Sequence, residues 1–510
     1  MSREKTSLLI RADAGTRMGT GHVMRCLALA QAWQDAGGIA VLASAELPDA
    51  LAERCRSENV QVVAIDAAAG SADGANRTCE LAREIGANWI VLDGYQFPAE
   101  FRAAIKSAGL SLLWIDDLGT DEPPHADIIL NQNLHADESL YPRRRESTKP
   151  LLGPRYALLR REFRPWRDWS RPASSTTRKL LVTLGGSDPD DHTTRVLEAL
   201  REVPLTEWQV EVVLGPGNPH RDSLLAAAER CPFPVRILER VRDMSRLMRE
   251  ADAAIAACGS TCWELLFFDV PTAAVAIADN QLPSANRLAD QKLMTIIGAR
   301  RDDLAGELRE FFTNLPTKAG STTNRPRLVD GRGAQRAVRA LGLDVLDVRS
   351  AVAEDSRDVW ECSNDLSARA VSINPAPIPW SDHENWYAAR LRDSDCLFLV
   401  ATANDGEFVG HCRCQLDDEA WVISISLRPG HRGKGYGVRL IRQTVERLFA
   451  QRSAESLDAY IRLDNPASRK AFEKAGFESV GLKNIRGVEM AHYVIAPACG
   501  EQALAEKAVA

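Results

Sequence analysis

The feature that most constrains the fold is an alternation through the first two-thirds of the chain. Short, continuously apolar runs that read as strands are separated by longer stretches with helical spacing. SLLIRAD (residues 7–13) is followed by HVMRCLALAQAWQDAGG, then by IAVLASA, VQVVAID, NWIVLDG, LSLLWIDD and ADIILNQN. Strands that are apolar throughout need cover on both faces, and helices between successive strands supply it. The pattern predicts a parallel sheet between two layers of helices.

A polar stretch rich in Pro, Ser and Arg, RPWRDWSRPASSTTR (164–178), reads as a linker. Beyond it the alternation restarts with KLLVTLGGSD, WQVEVVLGPG, VRILERV, DAAIAACGS and PTAAVAIADN. Two Rossmann-like domains, 6–165 and 175–340, are predicted, and the cleft between them is the natural ligand site. After a further change near 336–347 come CLFLVAT, EFVGHCRCQL, AWVISISL, a glycine-rich loop and LDAYIRL, with helical stretches before and between them. That is a smaller α+β pattern over 345–495. A chain of 510 residues exceeds what one core serves, in keeping with three domains.

A net charge of -7 argues against a nucleic-acid footprint. The arginines at 143–145 and 160–171 are expected to be solvated loop and linker charge. Eleven cysteines, an odd number without a spacing framework, favour free thiols and a reducing cytoplasm. The N-terminal apolar run is too short for a signal core, and no segment reaches spanning length. Cys412 with Cys414 and Cys258 with Cys262 lack a second ligand pair, so no metal is expected.

The turn GTGH joins the first strand to its helix. Gly19 and Gly21 let backbone N–H groups approach a ligand, and the helix start favours an anion such as a diphosphate. The pattern is not GxGxxG, and no acidic residue sits where a nicotinamide site holds ribose. His22 opens the helix, where the dipole disfavours the imidazolium. A neutral imidazole suits a general base; a histidine that only satisfies a loop hydrogen bond fits equally. Two comparable turns follow, Gly185-Gly186-Ser187-Asp188 and Cys258-Gly259-Ser260-Thr261, the second with Glu264 in its helix's first turn. They suit phosphate and ribose; helix capping by Ser260 and Thr261 is the alternative.

The segments IRADAGTRMGTGHVMRCLALA, VLDGYQF, LLWIDDL, ADIILNQN, LLGPRYALLRREF, LVTLGGSD and ADNQ together resemble the UDP-2,4-diacetamido-2,4,6-trideoxy-β-L-altropyranose hydrolases of pseudaminic acid biosynthesis, over about residues 6–340. The resemblance implies a GT-B arrangement of the two Rossmann-like domains and hydrolysis at the anomeric carbon, releasing UDP. It implies His22 as the base that deprotonates water, Asp13 as a group that could orient the imidazole, and Tyr95 as an active-site tyrosine. Arg11, Gly19, Gly21, Gly186, Ser187, Gly259, Ser260, Thr261, Glu264 and Asn280 fall where substrate would be held. No metal is implied.

In the third domain, Arg432-Gly433-Lys434-Gly435-Tyr436-Gly437 fits R-x-x-G-x-G between a strand and a helix, where backbone amides and the helix start suit a diphosphate; a basic β-to-α turn is the alternative. With Asn465, AFEKAGFESVG, IPWSDHENWYAARL and EFVG it resembles the GNAT N-acetyltransferases over about residues 345–495. The resemblance implies acetyl-CoA as cosubstrate, bound by Leu427, by the loop 432–437 and by Asn465. Ser372, Asn374, His383 and Trp386 resemble the acetyltransferases of 4-amino nucleotide sugars. Phe472 stands where many members carry a tyrosine that protonates the thiolate, leaving Tyr436, Tyr460 or a water as alternatives. His431 is expected to be an exposed loop residue.

The expected whole is a bifunctional cytoplasmic enzyme, with no nucleic-acid or membrane partner, that acetylates a 4-amino UDP-sugar and hydrolyses the product. Alternatives are a glycosyltransferase with a non-water acceptor, and a C-terminal domain that senses acyl-CoA or a nucleotide sugar without catalysis.

Overall fold

The computed structural model describes residues 6–15, 18–171, 178–298, 303–315, 327–404, 406–418 and 420–497. The chain divides into two compact units. Among the described residues, one holds 6–163 with Ser170–Leu343, and the other holds Arg164–Trp169 with 344–497.

The first unit contains two parallel sheets. Strands β1 (Ser7–Ala12), β2 (Ile39–Ser44), β3 (Gln61–Ala64), β4 (Ala87–Asp93), β5 (Ser111–Ile115), β6 (Ile128–Asn131) and β7 (Lys149–Leu152) lie in the order β3-β2-β1-β4-β5-β6-β7. Strands β8 (Arg178–Thr183), β9 (Trp208–Leu214), β10 (Val235–Glu239), β11 (Ala253–Ala257), β12 (Thr272–Val275) and β13 (Thr295–Ile297) lie in the order β10-β9-β8-β11-β12-β13. Both are doubly wound orders whose direction reverses beside the first strand, so a crevice opens at the carboxyl ends of the two central strands. In the first sheet Ala12 pairs with Asp93, so β1 and β4 end level and their next residues share that crevice. The runs are apolar because both faces are covered: Leu9, Val41, Ile90 and Leu112 lie in one core, and Leu180, Val212, Ile255 and Val275 in another.

The second unit has a seven-stranded mixed sheet of β14 (Asp347–Ser350), β15 (Cys396–Thr402), β16 (Phe408–Asp417), β17 (Ala420–Leu427), β18 (Leu457–Arg462), β19 (Glu478–Ile485) and β20 (Val488–Ile495), ordered β14-β15-β16-β17-β18-β20-β19. Its one parallel pair, β17 with β18, is joined only at Trp421–Leu457 and Val422–Asp458. Beyond these pairs the two strands diverge toward the carboxyl end of β17.

Two expectations are corrected. Residues 164–169 are not a free linker: Asp168 accepts from Arg447 Nη2 at 2.7 Å and from the Ser350 amide at 2.9 Å, and Arg164 pairs with Glu446. Residues 172–177 of that stretch lie outside the described residues. Nor are the arginines at 160–171 solvated charge, since Arg160 and Arg167 are buried. Arg160 meets the neighbouring Glu162 and the distant Glu264, and Arg167 lies 3.8 Å from Asp347.

Candidate active site

Every functional group of the first sheet stands at its carboxyl edge. The helix Gly21–Asp35 starts there and carries His22 in its first turn, nearly buried. His22 Nδ1 donates to Asp93 Oδ1 at 2.7 Å. That bond fixes the tautomer with the proton on Nδ1, and Nε2 has no protein partner among the described residues. Asp93 is fully buried at the end of β4.

One helical turn on, Arg25 places a guanidinium between two carboxylates. Its Nε and Nη2 donate to Asp93 Oδ2 and Oδ1, both at 2.7 Å. Its Nη1 and Nη2 donate to Asp117 Oδ1 and Oδ2 at 2.8 and 3.0 Å. Burial alone would raise the Asp93 pKa, but the Arg25 charge and the hydrogen bonds from Arg25 and His22 outweigh it and hold the carboxyl below its ordinary value. Asp117, just beyond β5, is held well below by the same balance. Its carboxylate also accepts from Asn133 Nδ2 at 2.8 Å and Tyr95 Oη at 2.7 Å. The Tyr95 hydroxyl is pushed up by burial and by Asp117, so it stays protonated. Its ring meets the imidazole edge-on, 4.9 Å between centroids.

The expected orienting group is corrected here. His22 is oriented by Asp93, not Asp13. Asp13 follows β1 but turns toward β2, where it accepts from Ser44 Oγ at 2.9 Å, the Ala45 amide at 2.7 Å, Gln96 and Arg11. Burial opposes its charge, and these donors still hold its pKa down. Arg11 is fully buried against Asp13 and Phe97, so it presents no guanidinium at the surface of the crevice.

The second sheet brings its own crevice to this one. A β-carbon built on Gly21 would lie 3.9 Å from Ser260 Oγ, one on Gly19 3.8 Å from Ser187 Oγ, and one on Gly186 would collide with Thr20. Gly19 has φ +78°, a left-handed conformation that suits glycine. Asn280 Nδ2 donates to Tyr95 Oη at 2.9 Å, joining the two halves at the site. Ser260 and Thr261 make no side-chain cap bond, so the capping alternative is not realised. The Gly185–Asp188 turn differs: Asp188 itself accepts from the His192 and Thr193 amides at 2.9 and 2.8 Å, so a carboxylate already occupies that helix start. Glu264 is buried against Arg160 Nη1 at 2.8 Å, with burial pushing its carboxyl upward against the pull of that arginine.

In the second unit, the helix Tyr436–Gln451 is entered through residues 432–437. Gly433 and Gly435 have φ of +74° and +85°, and a β-carbon on either would meet nothing within 4 Å. Their role lies in the backbone turn rather than in space. Gly433, Lys434 and Gly435 are exposed, and Gly437 half-buried. Arg432 is already engaged: Nε donates to the Leu427 carbonyl at 2.9 Å, Nη2 to Asp365 at 2.9 Å and Nη1 to Ser367.

Residues 362–477 match the acetyltransferase (GNAT) family model. The C-terminal domain is a GNAT domain. Over 499 residues the chain is 23% identical to an uncharacterized protein of Methanocaldococcus jannaschii, covering 92% of this chain and 96% of that one. It is 24% identical over 290 residues to the UDP-2,4-diacetamido-2,4,6-trideoxy-beta-L-altropyranose hydrolase of Campylobacter jejuni, covering 55% of this chain and 96% of the relative. It is 26% identical over 250 residues to the spore coat polysaccharide biosynthesis protein SpsG of Bacillus subtilis, covering 48% and 73%. The chain is thus a homologue of that UDP-sugar hydrolase.

Within the GNAT domain, Phe472 is core, its ring edge-on to Phe477. Tyr436 is also core and donates its hydroxyl to Asp344, so it is not presented to a ligand. Tyr460 is less enclosed: its hydroxyl donates to Asp458 Oδ2 and accepts from Lys483 Nζ, both at 2.9 Å. His431 is buried rather than exposed, 3.3 Å from Glu407. Asn465 caps the helix Pro466–Ala475 by accepting from the Ser468 amide at 3.1 Å. His383 is buried and donates to the Ser356 carbonyl at 2.9 Å, and Ser372 donates to the Ala368 carbonyl at 2.8 Å. Asn374 accepts from the Ala376 amide at 3.0 Å, while Trp386 presents exposed ring surface.

Arg25, Asp93, Asp117 and Asn133 are site residues that motif reading does not single out. The available signal was position, since Asp93 ends β4, which flanks the point where strand order reverses, and Asp117 follows the neighbouring β5. No group of three or more His, Cys, Asp or Glu among the described residues could hold a metal ion. No described helix is long and apolar enough to cross a membrane.

Proposed function

We propose that the protein is a bifunctional nucleotide-sugar enzyme of pseudaminic acid biosynthesis. Its first unit, in a GT-B arrangement, hydrolyses UDP-2,4-diacetamido-2,4,6-trideoxy-β-L-altropyranose, and its GNAT domain acetylates the 4-amino precursor with acetyl-CoA. The observation that carries the hydrolase reading is the His22–Asp93 pair, with Nδ1 committed and Nε2 unpartnered where two strand-order crevices meet. Nε2 takes a proton from water, the water oxygen bonds to the anomeric carbon, and the bond to UDP breaks with its electron pair leaving on the diphosphate. The Gly259-Ser260-Thr261 turn supplies donors for that charge, because the other turn is filled by Asp188. Tyr95 and Asn280 bound the sugar side. In His22→Ala, UDP-sugar affinity is retained and hydrolysis is lost; unaltered turnover would remove His22 from the mechanism.

For acetyl-CoA, the exposed left-handed turn at 433–435 and the divergence of β17 from β18 suit an extended cosubstrate with a diphosphate. The backbone of 433–437 and the end of β17 at Leu427 would hold it. The hydroxyls of Tyr436 and Tyr460 already donate to Asp344 and Asp458, so a water is the remaining source of a proton for the thiolate. The buried phenyl ring of Phe472 supports the second reading, a GNAT domain that binds without turnover. Thiol release from acetyl-CoA with the 4-amino UDP-sugar separates the two.

A further inference from the structure

Arg25 is the most heavily engaged side chain of the first unit's site, yet it has no contact that the chemistry of water activation requires. It is buried, and its four hydrogen bonds form two forks that share Nη2, one fork to Asp93 and one to Asp117. Each carboxylate has a second task. Asp93 Oδ1 accepts from His22 Nδ1, and Asp117 Oδ2 accepts from Tyr95, whose ring forms one wall of the imidazole. A planar guanidinium fixes the plane of any carboxylate it meets bidentately, which a lysine ammonium cannot do.

We infer that Arg25 is a positioning residue for His22: its double fork locks Asp93 and Asp117 in one plane-to-plane arrangement, and through them the direction of the imidazole and of Tyr95. The inference rests on the reading of His22 as the base. A charge argument accompanies the geometric one. With His22 neutral, the cluster carries two carboxylates and one guanidinium, a net single negative charge beside the imidazole. The other titratable groups packed on it are Cys26 on the same helix, 3.4 Å from Asp93, Tyr95, and His135, whose Nε2 lies 3.0 Å from the Asp117 carbonyl. Arg25 Nη2 is 3.2 Å from His22 Nδ1, so removing the guanidinium strips the nearest positive charge. Position and charge can be separated because lysine keeps one and not the other.

The test uses the full chain with Arg25→Met, Arg25→Lys and the charge-compensated Arg25→Met/Asp117→Asn. Two readouts are taken: the pH profile of UDP release from the UDP-sugar, and the titration of the His22 imidazole by NMR without substrate, assigned against His22→Gln. In Arg25→Met both the acid limb and the imidazole titration move to higher pH, by about 1 to 3 units. In Arg25→Lys the titration stays near that of the parent while kcat falls about 100-fold, the scale of a misplaced reacting group. The double variant, which leaves no unpaired buried carboxylate beyond Asp93, titrates near the parent and keeps the low kcat. Full kcat in folded Arg25→Lys or in the double variant overturns the positioning role. An unmoved imidazole titration in folded Arg25→Met overturns the charge role. Retained turnover in His22→Gln would instead defeat the reading of His22 as the base, and the NMR titration would still judge the charge role of Arg25.

Discussion

The replacement Asp93→Asn tests the orientation of the base by a change of one atom. The Nδ1–H to Oδ1 bond at 2.7 Å joins a buried imidazole to a buried carboxylate. A hydrogen bond to a charged group contributes about 1.5–3 kcal/mol. At 1.36 kcal/mol per tenfold, its loss in the transition state, where His22 gains a proton, lowers kcat about 10- to 150-fold. The effect grows if the substituted side chain turns its amide NH2 toward Nδ1. That forces the ring proton onto Nε2 and removes the base, a tautomer error that reaches about 10,000-fold in a histidine–carboxylate pair. The assay is the initial rate of UDP release, with UDP-sugar affinity measured separately by calorimetry. Asp13→Asn is the paired control. Asp13 neutralises buried Arg11, so that variant loses far more thermal stability than kcat. Parent turnover in Asp93→Asn, or an equal kcat loss in Asp13→Asn without lost stability, would refute the assignment.

Other perturbations follow from particular contacts. Gly186→Ala drives a methyl group into Thr20, so UDP-sugar affinity falls at least tenfold, and Thr20→Gly in the same chain restores it; affinity unchanged in the single variant would show that the turns do not meet. Gly435→Ala places a β-carbon at φ +85°, a strain of about 1–2 kcal/mol, and weakens acetyl-CoA binding by calorimetry without changing UDP release. Burial pushes His411 down to about 3, below the unfolded value near 6.5, so the unfolded chain binds the extra proton. The GNAT unit therefore loses stability as pH falls below about 6.5, by about 2 kcal/mol at pH 5, and His411→Gln flattens that slope in hydrogen exchange of β16. Asp168, held at about 2 by Arg447 and the Ser350 amide against its burial, contributes stability that is lost as pH falls from about 4 toward 2. Asp168→Asn removes that acid transition from the unfolding profile.

The parallel sheets were legible because burial on both faces leaves an unbroken apolar run, as in AAIAA of β11, and such runs alternate with helical stretches. His22 was legible because a helix start after a glycine turn is a local feature. Its partner was not, for two carboxylates follow strands at the same crevice. Asp13 is nearer in sequence, but β1 directs it toward Ser44 and Ala45, while Asp93 ends β4 beneath the helix. Arg25 reads in sequence as one more polar residue on a helix; only the registration of β4 and β5 supplies the two carboxylates that make its burial tolerable. The same holds for residues 164–169, where polar composition suggests a linker. Pairing of Asp168 with Arg447, almost three hundred positions away, depends on tertiary structure.

The central claim is that one chain acetylates a 4-amino UDP-sugar and then removes UDP by hydrolysis. It is tested most directly by incubating the purified protein with UDP-4-amino-4,6-dideoxy-N-acetyl-β-L-altrosamine, with and without acetyl-CoA, and following products by mass. The account predicts coenzyme A, UDP and the free 2,4-diacetamido sugar when acetyl-CoA is present, and neither UDP nor free sugar when it is withheld. Acetylated UDP-sugar that persists until an acceptor other than water is added would contradict it.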